Sequence, residues 1–414
     1  MPPRLPPSQK GISMEPQRIP GIARVVNVRH NDLTARARAA ADVAKMTAAA
    51  VDAEARFPKE SFAEIRKQRL LGIQVPQALG GEGASIAEVA DICYILGQAC
   101  SSTALIYAMH QIKMACIVRH AKGSAALERI LSRIAAEQLL MASSTTEGQG
   151  GGNVRSSEAP IEHDGPNVTL ERTATVISYA VDADGVVTTA RRAKDAAASD
   201  QVLLVLLKAD YTLERLQVWD TLGMRGTNSE GFTLRARAAA EQIMPEPYER
   251  IHAQTMVPFA HLLWGSVWAG IAAAAAGKAQ AFIRQAMRSS NGQMPPGAPH
   301  FTQAVSSLRT LRAVLASNLR GYEAVMSDEK AVSSLEFQAA ITLTKVQASE
   351  LAVATVLSSL RACGLSGYRN DTEFTIGRLL RDVLSAPIMI NNDRILANLA
   401  ASSLLTPLPT SISG

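Results

Sequence analysis

Gly364-Leu365-Ser366-Gly367-Tyr368, then Arg381-Asp382, then Ile388-Met389-Ile390-Asn391-Asn392 is the stretch whose reading decides the fold. Two glycines three residues apart close a long helical pattern and let backbone approach backbone. A charged pair follows within another apolar helical segment. Ile390 then stands before Asn391-Asn392-Asp393, which has the form of a helix N-terminus, where Asn392 or Asp393 would cap free N–H groups. Position 390 is a hydrocarbon, and that bears directly on chemistry.

Outward from this stretch, the 414 residues suffice for two or three packed units. Apolar residues make up 47% but aromatics only 4%, with recurrent alanine runs, a composition that favours long, closely packed helices. A net charge of +5, carried by dispersed arginines, gives no nucleic-acid footprint. Cys93, Cys100, Cys116 and Cys363 lack metal-ligand spacing and read as buried free thiols of a cytoplasmic protein. Residues 1–30 form a Pro-rich leader, expected to be disordered, without the apolar core of a signal peptide. The apolar run around Trp268 to Ala276 is too short to span a bilayer.

Three zones follow the leader. Residues 31–138 read as helical: Phe57-Pro58 opens a helix closing near Leu71-Gly72, and Ser85-Ile86-Ala87-Glu88 is a capping box. Residues 139–247 carry short β-branched runs, Thr175 to Ser178, Gly185 to Thr189 and Val202 to Leu207, separated by polar turns. Residues 248–414 return to helix, with Leu308, Leu311, Leu315 and Leu319 in one stripe and a Pro/Gly break at 292–299. Further helices are expected from Glu373 to Leu384 and from Asp393 to Leu405.

Several motifs in this order resemble the acyl-CoA dehydrogenase family over roughly residues 50–405. Arg69-Leu70-Leu71-Gly72-Ile73, Val75-Pro76 and Gly80-Gly81-Glu82-Gly83 are similar to its N-terminal signature, with His110 beyond. Thr146-Glu147 and Gly151-Gly152-Asn153-Val154 resemble its Thr-Glu-Pro-Gly-x-Gly-Ser-Asp loop, and Leu222-Gly223-Met224-Arg225 its Leu-Gly-Met-Arg motif. The resemblance implies a mostly α, α+β fold: an N-terminal helical domain, a central β-barrel-like domain and a C-terminal four-helix bundle. It also implies FAD and a homotetramer or homodimer with each flavin near a subunit interface. Thr146, Gly151, Gly152, Ile177, Ser178, Gly364, Gly367 and Asn392 would line the cofactor, Ser178 as the hydroxyl facing flavin N5 and Val176 in place of a shielding tryptophan.

The sequence also departs from the family. Ser289-Ser290-Asn291-Gly292-Gln293 stands where Arg-x-x-Phe-Gly would contact the flavin diphosphate, although Gln303 matches a downstream glutamine. Ile390 occupies the place of the catalytic glutamate, and the alternative glutamate site reads Ser266-Val267-Trp268. Removing an α proton from an acyl thioester requires a base within hydrogen-bond reach. Asp393, three residues on, is the nearest acid, with helix capping as its other role. Three functions stay open: FAD-dependent oxidation of an acyl thioester or related small organic substrate, flavin monooxygenation fed by a separate reductase, and non-catalytic binding or scaffolding. For oxygen chemistry, His110, His261 and Ser178 are the candidate donors.

Overall fold

The computed structural model describes residues 28–146 and 156–405. The expected leader lies outside that range up to residue 27, and residues 28–30 already belong to the first helix.

Five helices come first: α1 (Val28–Ala53), α2 (Lys59–Lys67), α3 (Ile86–Ala99), α4 (Ser101–His120) and α5 (Ala125–Glu137). Ser85 opens α3 as expected, its Oγ accepting from Glu88 N at 3.2 Å while Ser85 N donates to the Glu88 carboxylate at 2.8 Å. α2 stops four residues before Leu71, because Arg69 takes a left-handed φ of 54° and sends Leu70 and Leu71 into the core as non-helical chain. α4 is buried on nearly every face, which marks it as the central helix of this layer.

The strands are β1 (Met141–Ser144), β2 (Glu162–Asp164), β3 (Asn167–Ile177), β4 (Gly185–Arg191), β5 (Gln201–Leu207), β6 (Tyr211–Gln217) and β7 (Glu230–Ala239). They form two open sheets, ordered β1-β4-β5 and β2-β3-β7-β6, rather than a closed barrel. β1 runs parallel to β4, and the remaining pairings are antiparallel. β5 is an unbroken apolar run because it is buried almost throughout. Arg172 on β3 is 1% exposed and reaches the Thr189 carbonyl and hydroxyl on β4, tying one sheet to the other.

The rear layer starts with α6 (Tyr248–Ile251), a π-helical turn over His252–Met256, and α7 (Val257–Ser289), continuous as one helix. Then come α8 (Ala298–Val325), α9 (Glu329–Val332), α10 (Leu335–Cys363), α11 (Leu365–Tyr368), α12 (Gly377–Val383), α13 (Ser385–Ile388) and α14 (Asn392–Leu405). α7 packs against α3, α8 and α10, and α14 closes on α10. Leu311 and Leu315 of the leucine stripe are buried, with Leu308 and Leu319 half-buried beside them. α12 begins at Gly377 rather than Glu373, since Ile376 N is tied to the Gly367 carbonyl at 2.8 Å and the preceding chain turns instead of coiling.

The Trp268–Ala276 run proves part of a 42-residue helix. By length and composition, Tyr248–Ser289 and Leu335–Cys363 could each cross a membrane. In the first, 83% of the most apolar window is packed inside the protein, as in a core helix.

Two glycines set the α3–α7 crossing. A Cβ on Gly270 would lie 2.4 Å from the Tyr94 carbonyl and 2.9 Å from Gly97 Cα. Gly277, two turns further along α7, has open space where its Cβ would be. Gly270→Ala is therefore expected to cost about 1–3 kcal/mol by overpacking. Gly277→Ala should stabilise by about 0.5–1 kcal/mol through helix propensity. Opposite shifts of the denaturation midpoint check the pair; a shared sign would refute the close-crossing argument.

Candidate active site

Ile390 lies on a cleft of about 90 Å3 between the three layers. α4 supplies Met109, Ile112 and Lys113; β1 and the residue after it supply Ser143 and Thr145. The π turn and α7 supply His252, Met256, Val257, Ala260, His261 and Trp264. Ile390 itself has φ of 46°, a conformation that a β-branched residue enters only under strain. Among the described residues, no carboxylate lines the cleft.

The two residues after it behave differently from expectation. Asn391, not Asn392 or Asp393, caps α14: its Oδ1 accepts from Asp393 N at 2.9 Å and Arg394 N at 3.3 Å. Asp393 is exposed, in the first turn of α14, and does not line the cleft. The base candidate is thus replaced by a dipole-facing surface acid. Asp393→Asn should leave turnover unchanged and cost about 0.3–1 kcal/mol of stability, read as a small drop in thermal midpoint. Asn392 turns inward. Its Oδ1 accepts from Lys345 Nζ at 2.7 Å, and its Nδ2 donates to Ser349 Oγ at 3.0 Å and to the Glu350 carboxylate at 2.7 Å. These bonds lock α14 onto α10 and commit the Asn392 amide to protein partners, not to a cofactor.

The sheet side holds the expected hydroxyl. Ser178 follows the bulge between Ala174 and Ile177, is half-buried, and shares a 2.8 Å hydrogen bond with Ser229 Oγ. Ser229 in turn meets Thr227 Oγ1 at 2.8 Å. Next to it, Tyr179 is wholly buried and donates from its hydroxyl to the Met141 carbonyl at 3.0 Å, fixing the Ser178 turn to β1. Val176 is 38% exposed, an open hydrocarbon face. Ile177 is buried in the core; Thr146 is half-buried just past β1. Glu147, Gly151, Gly152, Asn153 and Val154 lie outside the described residues.

Of the histidines, His110 is a structural pin. Its Nε2 meets the Leu71 carbonyl at 2.9 Å, its Nδ1 accepts from Met141 N at 3.0 Å, and burial lowers its pKa to about 4. Neither ring nitrogen is left for a substrate. His261 does reach the cleft, with Nδ1 on the Ile341 carbonyl at 3.0 Å, and burial holds it neutral with a pKa near 4. Lys113 went unnoticed in the sequence. It is 4% exposed in the same cleft, and burial lowers its ammonium to about 8. Its signal was present: it is the one charged residue between Ser101 and Val118.

The Arg381-Asp382 pair holds the Leu222-Gly223-Met224-Arg225 turn. Asp382, buried, accepts from Met224 N at 2.7 Å, and Arg381 donates to the Leu222 carbonyl at 2.8 Å while gripping Asp52 at the end of α1. Burial pushes the Asp382 carboxyl above its ordinary range. Gly364 needs its glycine for φ of 54°, and Gly367 because a Cβ would press on Cys363 at 2.7 Å.

These residues fit a flavin on the ring side. β1 is an edge strand of its sheet, Ser143 and Thr145 put polar groups on the apolar cleft, and Thr146 and Ser178 are half-buried outside its lining. The diphosphate side is poorer. Ser289 and Ser290 turn their hydroxyls back to the Gln285 and Ala286 carbonyls, so neither replaces the missing arginine.

Comparison with known proteins agrees with this geometry. Residues 29–138 match the model of the acyl-CoA dehydrogenase N-terminal domain, and residues 264–405 that of the C-terminal domain. A cyclohex-1-ene-1-carbonyl-CoA dehydrogenase of Geobacter metallireducens is 26% identical over 86% of this chain and 92% of its own. A probable acyl-CoA dehydrogenase of Bacillus subtilis, YngJ, is 24% identical over 80% of this chain and 86% of its own. Among solved structures, FMN-bound TdsC of Paenibacillus sp. A11-2 superposes with a TM-score of 0.80 at 17% identity, covering 91% of this chain and 98% of its own. KijD3 in complex with FMN and a dTDP-linked amino-keto sugar also gives 0.80, at 23% identity, over 93% and 96%. The two domain models together span more than half of the sequence, in the order the motifs predicted, and this chain belongs to the acyl-CoA dehydrogenase family of flavin-linked oxidoreductases.

Proposed function

We propose that this protein binds FAD and oxidises a small organic substrate or acyl thioester in the cleft at Ile390. Family membership and the Ser178–β1 surface support the redox role. When bound, the flavin supplies the electron acceptor; Ser178 would hold the ring, and Trp264, Met256 and Ile390 would keep water from the reacting end. Cytoplasmic operation and a homotetramer or homodimer with flavins near subunit contacts belong to the same proposal.

One observation favours a second reading. The cleft that should carry the proton-abstracting acid carries Ile390, and among the described residues no carboxylate lines it. Oxygen transfer with reductase-supplied reduced flavin does not require that acid, and a dibenzothiophene monooxygenase, TdsC, is among the similar structures.

An absorbance spectrum of the purified protein, with mass analysis of any released flavin, tests the cofactor and separates FAD from FMN. Anaerobic bleaching by acyl-CoA supports dehydrogenation. Oxygen uptake only with an added flavin reductase supports monooxygenation. Protein that neither binds flavin nor turns over in any of these assays ends the redox proposal.

A further inference from the structure

Lys113 is a charged group buried in a largely apolar cleft, with no strong acceptor on it among the described residues. It is 4% exposed, and among the described residues the one hydrogen-bond partner recorded for its Nζ is Met256 Sδ at 3.4 Å. A thioether is a weak acceptor, and an ammonium has three donors to satisfy. Leaving a buried donor unsatisfied costs about 1–3 kcal/mol, more when it is charged. Elsewhere the protein resolves the same problem: Lys345, buried on α10, reaches the Asn392 amide oxygen at 2.7 Å. At Lys113 the missing acceptor faces the cleft bounded by Met256, Trp264 and Ile390.

We propose that Lys113 is an anion-binding residue, and that the cleft takes a small organic oxyanion with its carboxylate or sulfonate head on Nζ. The hydrocarbon body lies against Met256, Trp264 and Ile390. The loss of an acid at position 390 fits this arrangement, because a carboxylate in the same cleft would occupy the ammonium and repel an anionic ligand. The inference rests on the cleft being the substrate site of the proposed oxidoreductase, and adds small free acids to the ligands that site can take.

The test is binding to the purified full chain by calorimetry and thermal shift, with propionate and ethanesulfonate as anions and propionamide as the neutral match. The anions should bind and raise the melting midpoint; propionamide should not. Lys113→Met should weaken the anions about tenfold or more, the loss of a charge-assisted hydrogen bond. The same change should raise the midpoint of unliganded protein, because an unpaired buried charge is removed. Lys113→Gln, which keeps a polar tip, should also lose the preference for anions, and it serves should the Met variant fail to fold. Equal binding of amide and acid, or anion binding indifferent to both substitutions, overturns the proposal. The flavin reading fails separately: a protein that binds no flavin and shows no turnover with acyl-CoA or with an added flavin reductase, yet still binds propionate through Lys113, keeps this site and loses the redox role.

Discussion

Ile390→Glu is expected to create acyl-CoA-dependent flavin reduction where the parent protein shows little, with a gain of about 10²–10⁴-fold in the anaerobic bleaching rate. The position lines the cleft, so a carboxylate there can meet a substrate α proton. The backbone also favours the change: a left-handed φ of 46° is harder on isoleucine than on an unbranched side chain. Lys113 opposes it. Its ammonium lines the same cleft and would pair with the new carboxylate, lowering the basicity the reaction needs. The gain should therefore be larger when Ile390→Glu is combined with Lys113→Met. Stopped-flow bleaching with butyryl-CoA reads both. A double variant that binds butyryl-CoA without bleaching would show that more than the base has been lost.

The order of the layers was legible because it rests on local patterns. Ser85 and Glu88 announce α3, the Val202–Leu207 run announces a strand buried on both faces, and the glycines at 364 and 367 announce a turn. The site was legible only where a motif names a position. Ile390, which lines the cleft, was reached that way; its neighbours across the cleft were not. Lys113 and Trp264 are 151 residues apart in sequence, and neither belongs to a motif, so only packing brings them together. The cap of α14 lies one or two residues before the expected Asn392 or Asp393 for a related reason. Asn391, Asn392 and Asp393 are all competent caps by type, and the pull of Lys345 and Glu350 on the Asn392 amide decides which is spared for the helix end. For His110 residue type alone left two readings, a donor or a satisfied core residue, and packing selects the second. A lone histidine invites a chemical role, whereas here both its nitrogens are spent on backbone groups of Leu71 and Met141.

Gly223→Ala should be the most damaging of the single substitutions, lowering stability by roughly 3–5 kcal/mol. A Cβ there would stand 2.1 Å from the Arg381 carbonyl oxygen and 2.7 Å from Asp382 N, both backbone atoms that no rotamer change can move aside. Neither side of the contact can retreat without loss. Moving α12 away breaks the Arg381 grip on Asp52, and moving the β6–β7 turn takes Met224 N off the buried Asp382 carboxylate. A stranded carboxylate in the core is the costlier result, since its burial is compensated by that 2.7 Å bond. Gly321→Ala, at a helical position with nothing within 4 Å, is the matched control and should hold or gain stability. Chemical denaturation measures the difference, and limited proteolysis shows where it falls: cleavage should begin in the 218–228 turn. A Gly223→Ala protein with an unchanged midpoint would mean that the turn carries none of the coupling between α1, the sheets and α12. In that case the Arg-Asp pair would have to be explained by something other than the clamp.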